Sequence, residues 1–235
     1  MTTALLRIQG VSKHFGGFTA LSDVHLNVAE GERLGLIGPN GSGKTTLMNC
    51  IAGSLRHDAG SIRFRGEEIS SLPAYRRTQR GIARSFQIPR PFASMTVLEN
   101  LLVPLEYVGR DNAIDVHGIL RDLELAEKAD TPSNQLSQVE LRKLELARAM
   151  ASQPSLLISD EAMAGLSGSE VDEVLAILFK LNESGITVIM IEHILQAVMR
   201  FSQRVICLDA GKIICEGTPR EVVDNPQVQK AYLGA

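Results

Sequence analysis

The chain has 235 residues, with 24 Lys+Arg against 27 Asp+Glu, 44% hydrophobic and 22% charged. That length and balance give one or two ordinary globular domains and exclude collagen, a disordered tail and a coiled coil. A net charge of −3 supplies no global field for polyanionic nucleic acid, whose binding rests on clustered Lys and Arg, so no nucleic-acid partner is expected. The three cysteines, Cys50, Cys207 and Cys215, have no CxxC spacing and read as small buried free thiols of a reducing compartment. The start MTTALLRIQG lacks the basic-then-apolar pattern of a secretory signal. The longest apolar runs, such as ITVIMI from Ile186 to Ile191, fall far short of the roughly 20 residues a helix needs to cross a bilayer. The expectation is a cytosolic protein that does not span a membrane.

In chain order, Leu5 to Val28 alternates apolar and polar residues around Gly16-Gly17, which predicts two antiparallel strands. Arg33 to Ile37 is a short apolar run leading into a glycine-rich loop, and Lys44 to Ala52 places Leu47 and Ile51 on one helical face. A strand at Ser61 to Gly66 and a short helix before Gly81 follow. The stretch from about 88 to 153 changes character and reads mostly helical, so we read 1–235 as a single domain carrying an inserted helical subdomain. Behind it, apolar runs at Leu156, Ile186 and Arg204 alternate with helical stretches of about 10 to 20 residues, the pattern of a parallel sheet covered by helices. The fold class is α/β.

Gly38-Pro39-Asn40-Gly41-Ser42-Gly43-Lys44-Thr45 matches the phosphate-binding pattern GxxxxGK(S/T) between a predicted strand and a predicted helix. Glycines let backbone N–H groups approach phosphate oxygens, and the following helix adds unpaired N–H groups and the positive end of its dipole. Lys44 is placed to neutralise the β- and γ-phosphates and the Thr45 hydroxyl to ligate Mg²⁺, with Thr46 next in the nucleotide-binding set. The strand LLISDE ends in two carboxylates: Asp160 to hold Mg²⁺ through water, Glu161 as general base for the attacking water. His193, after ITVIMI, offers a polar contact to the γ-phosphate. Gln87, where the core gives way to the insertion, is a candidate for the Mg²⁺ and water shell. Phe15 either stacks on an adenine face or packs under the first hairpin.

This set, in this order, resembles the nucleotide-binding subunit of ATP-binding cassette transporters over nearly the whole chain. The resemblance implies a P-loop NTPase core of mostly parallel sheet with an N-terminal antiparallel β part. It places the A-loop aromatic at Phe15, the Q-loop at Gln87, the signature at Leu136-Ser137-Gln138-Val139-Glu140, the D-loop at Ala164 to Ser167 and the switch histidine at His193. FGGFTALSDV, RSFQIPRPFASMTVLENLLV, DEAMAGLSGSE and EGTPREVVDNPQVQKAYLG look most like the branched-chain (hydrophobic) amino-acid uptake group. What this implies is an ATP-hydrolysing importer subunit at the cytoplasmic face of the cell membrane, using ATP and Mg²⁺. Its implied partners are transmembrane permease subunits, a second ATPase subunit and, indirectly, a solute-binding protein. Ser137 of one subunit then completes the ATP site of the other, just ahead of a helix at about Leu141 to Met150.

LSQVE departs from the family's two glycines and glutamine. Val139 can donate its N–H but does not readily take positive φ, and the Glu140 carboxylate is expected to turn away from phosphate, toward Arg142 or Lys143 for instance. Ala162, Ser167 and Ile194 stand where the family often has Pro, Asn or Asp, and Asp. The apolar stretch Thr96 to Tyr107 reads either as a groove for a partner helix or as ordinary core. Competing functions are a soluble ABC-type ATPase of DNA or ribosome handling, an exporter motor, and a clamp that binds ATP and barely hydrolyses it. A small GTPase is excluded by the lack of an NKxD motif.

Overall fold

The computed structural model describes residues 4–86, 89–108 and 114–233. The N-terminal hairpin is β1 (Ala4–Phe15) and β2 (Phe18–Ala29), joined at Gly16-Gly17 as the alternation predicts, and it leads into β3 (Arg33–Ile37) and α1 (Lys44–Ala52). Next come β4 (Ala59–Phe64), β5 (Glu67–Glu68), α2 (Ala74–Arg80) and β6 (Ile82–Ser85). The helices α3 (Val97–Val108), α4 (Val116–Asp122) and α5 (Gln138–Met150) follow. The chain then returns through β7 (Leu156–Asp160), α6 (Gly168–Glu183), β8 (Thr187–Ile191), α7 (Leu195–Phe201) and β9 (Arg204–Asp209). It finishes with β10 (Lys212–Gly217), α8 (Pro219–Val223) and α9 (Pro226–Leu233).

Two sheets result. One is antiparallel in the order β2-β1-β4-β5; the other runs β10-β9-β3-β8-β7-β6 and is parallel except for the β10 edge. Every residue of β7 and β8 is buried, which is why both are mainly apolar with no polar alternation. Successive side chains still point to opposite faces. Leu156 and Ile158 pack with α1 and the antiparallel sheet, whereas Leu157 faces the helical layer of α3 to α7. The six-stranded sheet is therefore the partition between two cores.

The strand order fixes the place of the site. β3 lies between β9 and β8, and the loop leaving its C-terminal end opens at the carboxyl edge of the parallel strands, where ligands of open α/β sheets bind. β7 and β8 pair in register to Asp160↔Ile191, so the residues just past both strand ends emerge side by side at the same edge. Some expectations shift. The helix after β8 has seven residues, shorter than the predicted range, because Ser202 breaks it to let Arg204 start β9. In Thr96 to Tyr107, Val97 and Leu101 are fully buried, whereas Leu102 and Tyr107 are exposed; one face of this stretch is thus core.

Candidate active site

The loop between β3 and α1 is shaped by glycines where no other residue fits. Gly38 has φ +150° and a Cβ there would strike the Leu208 carbonyl; Gly43 has φ +108° and lies against the Ala20 carbonyl. Gly43 is also the N-cap of α1, with no side-chain cap and no acidic residue in the first turn. The N–H groups at the head of α1 are thus left without a side-chain acceptor, as an anion site needs. Lys44 is buried, and its Nζ donates to the Gly38 carbonyl at 2.7 Å and the Pro39 carbonyl at 3.0 Å. Burial lowers its pKa, while the negative charge of Glu161 and Asp160 pulls the other way.

Above this floor is a cleft of about 250 Å³ walled by Phe15, Phe18, Ala20, residues 40–46, Glu161 and His193. Phe15 and Phe18 face each other across the hairpin end and both are exposed, so Phe15 is not packed beneath the hairpin. Gly38 and Pro39 stand behind the wall, where they hold Lys44, and Ser137 is not among the lining residues. Gln87 lies outside the described residues.

Glu161 and His193, 32 residues apart in sequence, meet because β7 and β8 are parallel neighbours: Glu161 Oε1 and His193 Nε2 are 2.8 Å apart. Glu161 takes φ +49°, a left-handed conformation uncommon for a residue with a side chain, and its N–H donates to the Ile191 carbonyl at 2.9 Å. Its carboxylate is mostly shielded while the imidazole is half exposed. Asp160 faces a second cleft, shared with Thr45, in which Arg84 of β6 pairs with it at 2.5 Å and also donates to Asn49 Oδ1 on α1. A buried carboxylate requires such a counter-charge.

Beneath the Glu161–His193 pair, buried Glu192 accepts the Met163 N–H at 2.9 Å and so ties the turn after β7 to the end of β8. Burial pushes its pKa up to about 7, assisted by the charge of Glu161 and opposed by the N–H bonds it accepts and by Arg142. The head of α5 approaches the same turn, with Arg142 donating to the Ala164 carbonyl at 3.1 Å. α5 begins at Gln138, earlier than expected, since Ser137 Oγ accepts the Glu140 N–H at 3.3 Å and Glu140 accepts the Ser137 N–H at 2.8 Å. Glu140 therefore turns to Ser137 and Lys128, not to Arg142 or Lys143, because those cations are engaged by Ala164 and by Glu124 and Glu173. Val139 is helical and packs against the core, so it is never asked for positive φ. Ser167 takes the equivalent capping role for α6, which suits a Ser in place of Asn or Asp.

Three residues at the site escaped the sequence reading: Phe18, Arg84 and Glu192. The exposed aromatic directly after Gly16-Gly17 was a signal for Phe18; Arg84 and Glu192 carried none, since each gains its role from a distant partner.

Comparison with known proteins agrees with this architecture. A family model described as ABC transporter matches residues 21–164, and one described as branched-chain amino acid ATP-binding cassette transporter matches residues 212–235. The high-affinity branched-chain amino acid transport ATP-binding protein BraF of Pseudomonas aeruginosa is 36% identical over 253 residues, covering 100% of this chain and 99% of that protein. A probable branched-chain amino acid transport ATP-binding protein LivG of Archaeoglobus fulgidus is 36% identical over 246 residues, covering 98% and 96%. A nucleotide-free ATP-binding cassette from an ABC transporter superposes with a TM-score of 0.90 at 32% identity, covering 99% of this chain and 100% of that one. A dimeric cassette in a post-hydrolysis state, bound to ADP and Pi, gives 0.81 at 28% identity, covering 92% and 99%.

Proposed function

This chain belongs to the ABC transporter family of ATP-binding cassettes, and on that premise we propose that it is the ATP-hydrolysing subunit of an importer for branched-chain or other hydrophobic amino acids, or for related small solutes. The observation that carries the hydrolytic part is the Glu161–His193 pair at 2.8 Å over a cleft floored by Lys44. The importer part is supported by the full-length likeness to branched-chain amino acid transport ATP-binding proteins, C-terminal segment included.

In this reading ATP enters with its adenine over Phe15, beside Phe18, and its phosphates over residues 40–46. Lys44 exchanges its two carbonyl acceptors for β- and γ-phosphate oxygens, and the uncapped N–H groups of α1 meet the rest. Ser42 Oγ, buried and without a hydrogen-bond partner among the described residues, is a further donor there. Water attacks the γ-phosphorus, the bond to the bridging oxygen breaks, and ADP leaves. Glu161 takes the proton of that water, and His193, hydrogen-bonded to it, holds the carboxylate in place and faces the γ-phosphate.

The donor set suits Mg²⁺: the Asp160 carboxylate and the Thr45 hydroxyl are hard oxygen ligands lining one cleft, and Gln87 is assigned there from its sequence position alone. In this reading the remaining ligands are phosphate and water oxygens, the usual mode for this ion. Held there, Mg²⁺ would neutralise charge that builds on the phosphates. Arg84 already balances Asp160, and it fixes that carboxylate between β6 and α1.

We read 1–235 as one ATPase domain in which 88–153 forms an inserted helical subdomain; β6 and β7 are direct neighbours, Ile82 opposite Leu156, so everything between them leaves and rejoins one sheet edge. Ser137 faces the γ-phosphate of a second ATPase subunit. No helix among the described residues is long and apolar enough to cross a membrane, which accords with a peripheral subunit held on the cytoplasmic face by permease subunits, with a solute-binding protein on the far side. Capture of the tagged chain from native membranes with Mg²⁺ and ATP, followed by mass identification, tests this. Polytopic membrane subunits with a solute-binding protein are expected; ribosomal or DNA-processing proteins alone would sink the importer reading.

A further inference from the structure

The C-terminal segment reaches back to the phosphate loop. α9 starts beyond Asn225, whose side chain accepts the Gln227 N–H at 2.8 Å. Val228 and Tyr232 are four residues apart and so share one face of that helix. Val228 is buried in the core of the helical layer, and Tyr232, half exposed overall, accepts the Gly38 N–H on its phenol oxygen at 2.7 Å, a contact spanning 194 residues of sequence.

Gly38 is the first residue of the loop, and its carbonyl is the acceptor of Lys44 Nζ at 2.7 Å. Both polar groups of this glycine are therefore committed, the N–H to the C-terminal helix and the carbonyl to the lysine of the cleft. A cradle of backbone N–H groups binds phosphate only when successive peptides are held in one orientation. At Gly38 that orientation cannot be imposed by a side chain of its own, because the Leu208 carbonyl occupies the space a Cβ would need. The phenol supplies the restraint from outside. When Lys44 turns to phosphate, the Gly38 carbonyl loses its partner and the Tyr232 bond becomes the side-chain restraint that stays on this peptide.

We propose that Tyr232 is a positioning residue for the nucleotide: its phenol oxygen fixes the first peptide of the phosphate loop, so that the C-terminal helix sets how the following N–H groups meet phosphate. This rests on the reading of the loop as the ATP site. It gives the stretch from Lys212 onward a task beyond packing, since its last helix reports to the loop through one hydrogen bond.

Tyr232→Phe keeps the ring and removes the oxygen; Tyr232→Leu removes both. Hydrogen exchange of the peptide containing Gly38 to Gly43, measured without nucleotide, is expected to accelerate several-fold in Tyr232→Phe. The ATP Kd and KM are expected to rise about fivefold, the factor a typical net hydrogen bond supplies, with kcat unchanged. Parental loop exchange and parental ATP affinity in Tyr232→Phe overturn the proposal; if Tyr232→Leu alone is altered, the ring packs and the oxygen does nothing. Lys44→Ala is the companion measurement. A Lys44→Ala protein that binds ATP as the parent does would overturn the reading of the loop itself, and the proposal with it.

Discussion

The heads of α1 and α5 are both aimed at phosphate in the proposed cycle, yet they are finished in opposite ways. α1 is entered through Gly43, with no side-chain cap and no acidic residue in its first turn. α5 is entered through Ser137 with a complete capping box, in which Glu140 places a carboxylate at the positive end of the helix dipole. One helix end is left open to an external anion; the other already holds an anion of its own. In that cycle an ATP molecule settles on the first as Lys44 turns from the Gly38 and Pro39 carbonyls. In the same proposal, a γ-phosphate reaching the second from a partner subunit comes to a helix end that already carries Glu140. In the proposed cycle the two halves of the site therefore differ: the half around α1 is open to an anion, and the half around α5 already carries one.

The largest effect that would break this division belongs to the α1 half. Glu161→Gln keeps a hydrogen-bonding side chain beside His193 and removes the proton acceptor, and loss of such a group costs about 10²–10⁴-fold in turnover. ATP binding should persist and the subunits should stay closed on it, seen as a dimer in size-exclusion chromatography with ATP. Turnover at the parental rate would take the general-base role from Glu161.

A second measurement probes where the halves touch. Glu192 ties Met163 to the end of β8 and lies near Arg142 of α5. With its folded pKa raised from 4.5 to about 7, the folded chain keeps a proton that the unfolded chain has lost. The stability from that difference is full below the unfolded pKa and disappears as pH rises through the folded one, a change on the order of 3 kcal/mol at most. Glu192→Gln cannot ionise and keeps an oxygen for the Met163 N–H. Its melting temperature should therefore fall less than the parent's between about pH 5 and pH 8; parallel curves would show that another group carries the pH dependence.

How far each half was legible in the sequence follows from the range of its interactions. The loop and α1 came out residue for residue, Lys44–Ala52 included, because glycine, lysine and helix act within one short window. The start of α5 was misplaced although the signal was present: Ser137 and Glu140 have the S-x-x-E spacing of a capping box. Arg84 with Asp160 and Tyr232 with Gly38 were invisible, being 76 and 194 residues apart. Such pairs leave no local periodicity. Topology makes them neighbours, and the local pattern of the sequence does not mark β10 or the two C-terminal helices as separate elements.

The smallest expected effect addresses the α5 half directly. Glu140→Gln preserves the reach of the capping box, as Gln serves at that position too, while deleting the negative charge that a phosphate would meet. The bond from the Ser137 N–H, followed by the contacts with Ser137 Oγ and Lys128, holds the Glu140 carboxyl below its ordinary pKa. Its stabilising contribution is therefore present above the unfolded pKa and lost as pH falls through the folded one. At neutral pH the variant should lose about 0.3–1 kcal/mol of stability, the worth of an anion at an exposed helix start, and that loss should vanish in acid. ATP-driven dimerisation should move the other way and tighten, because the incoming γ-phosphate no longer faces a like charge. A variant that is less stable and also dimerises no better would mean that Glu140 swings clear of phosphate on its own, and that the α5 head is as ready as the α1 head.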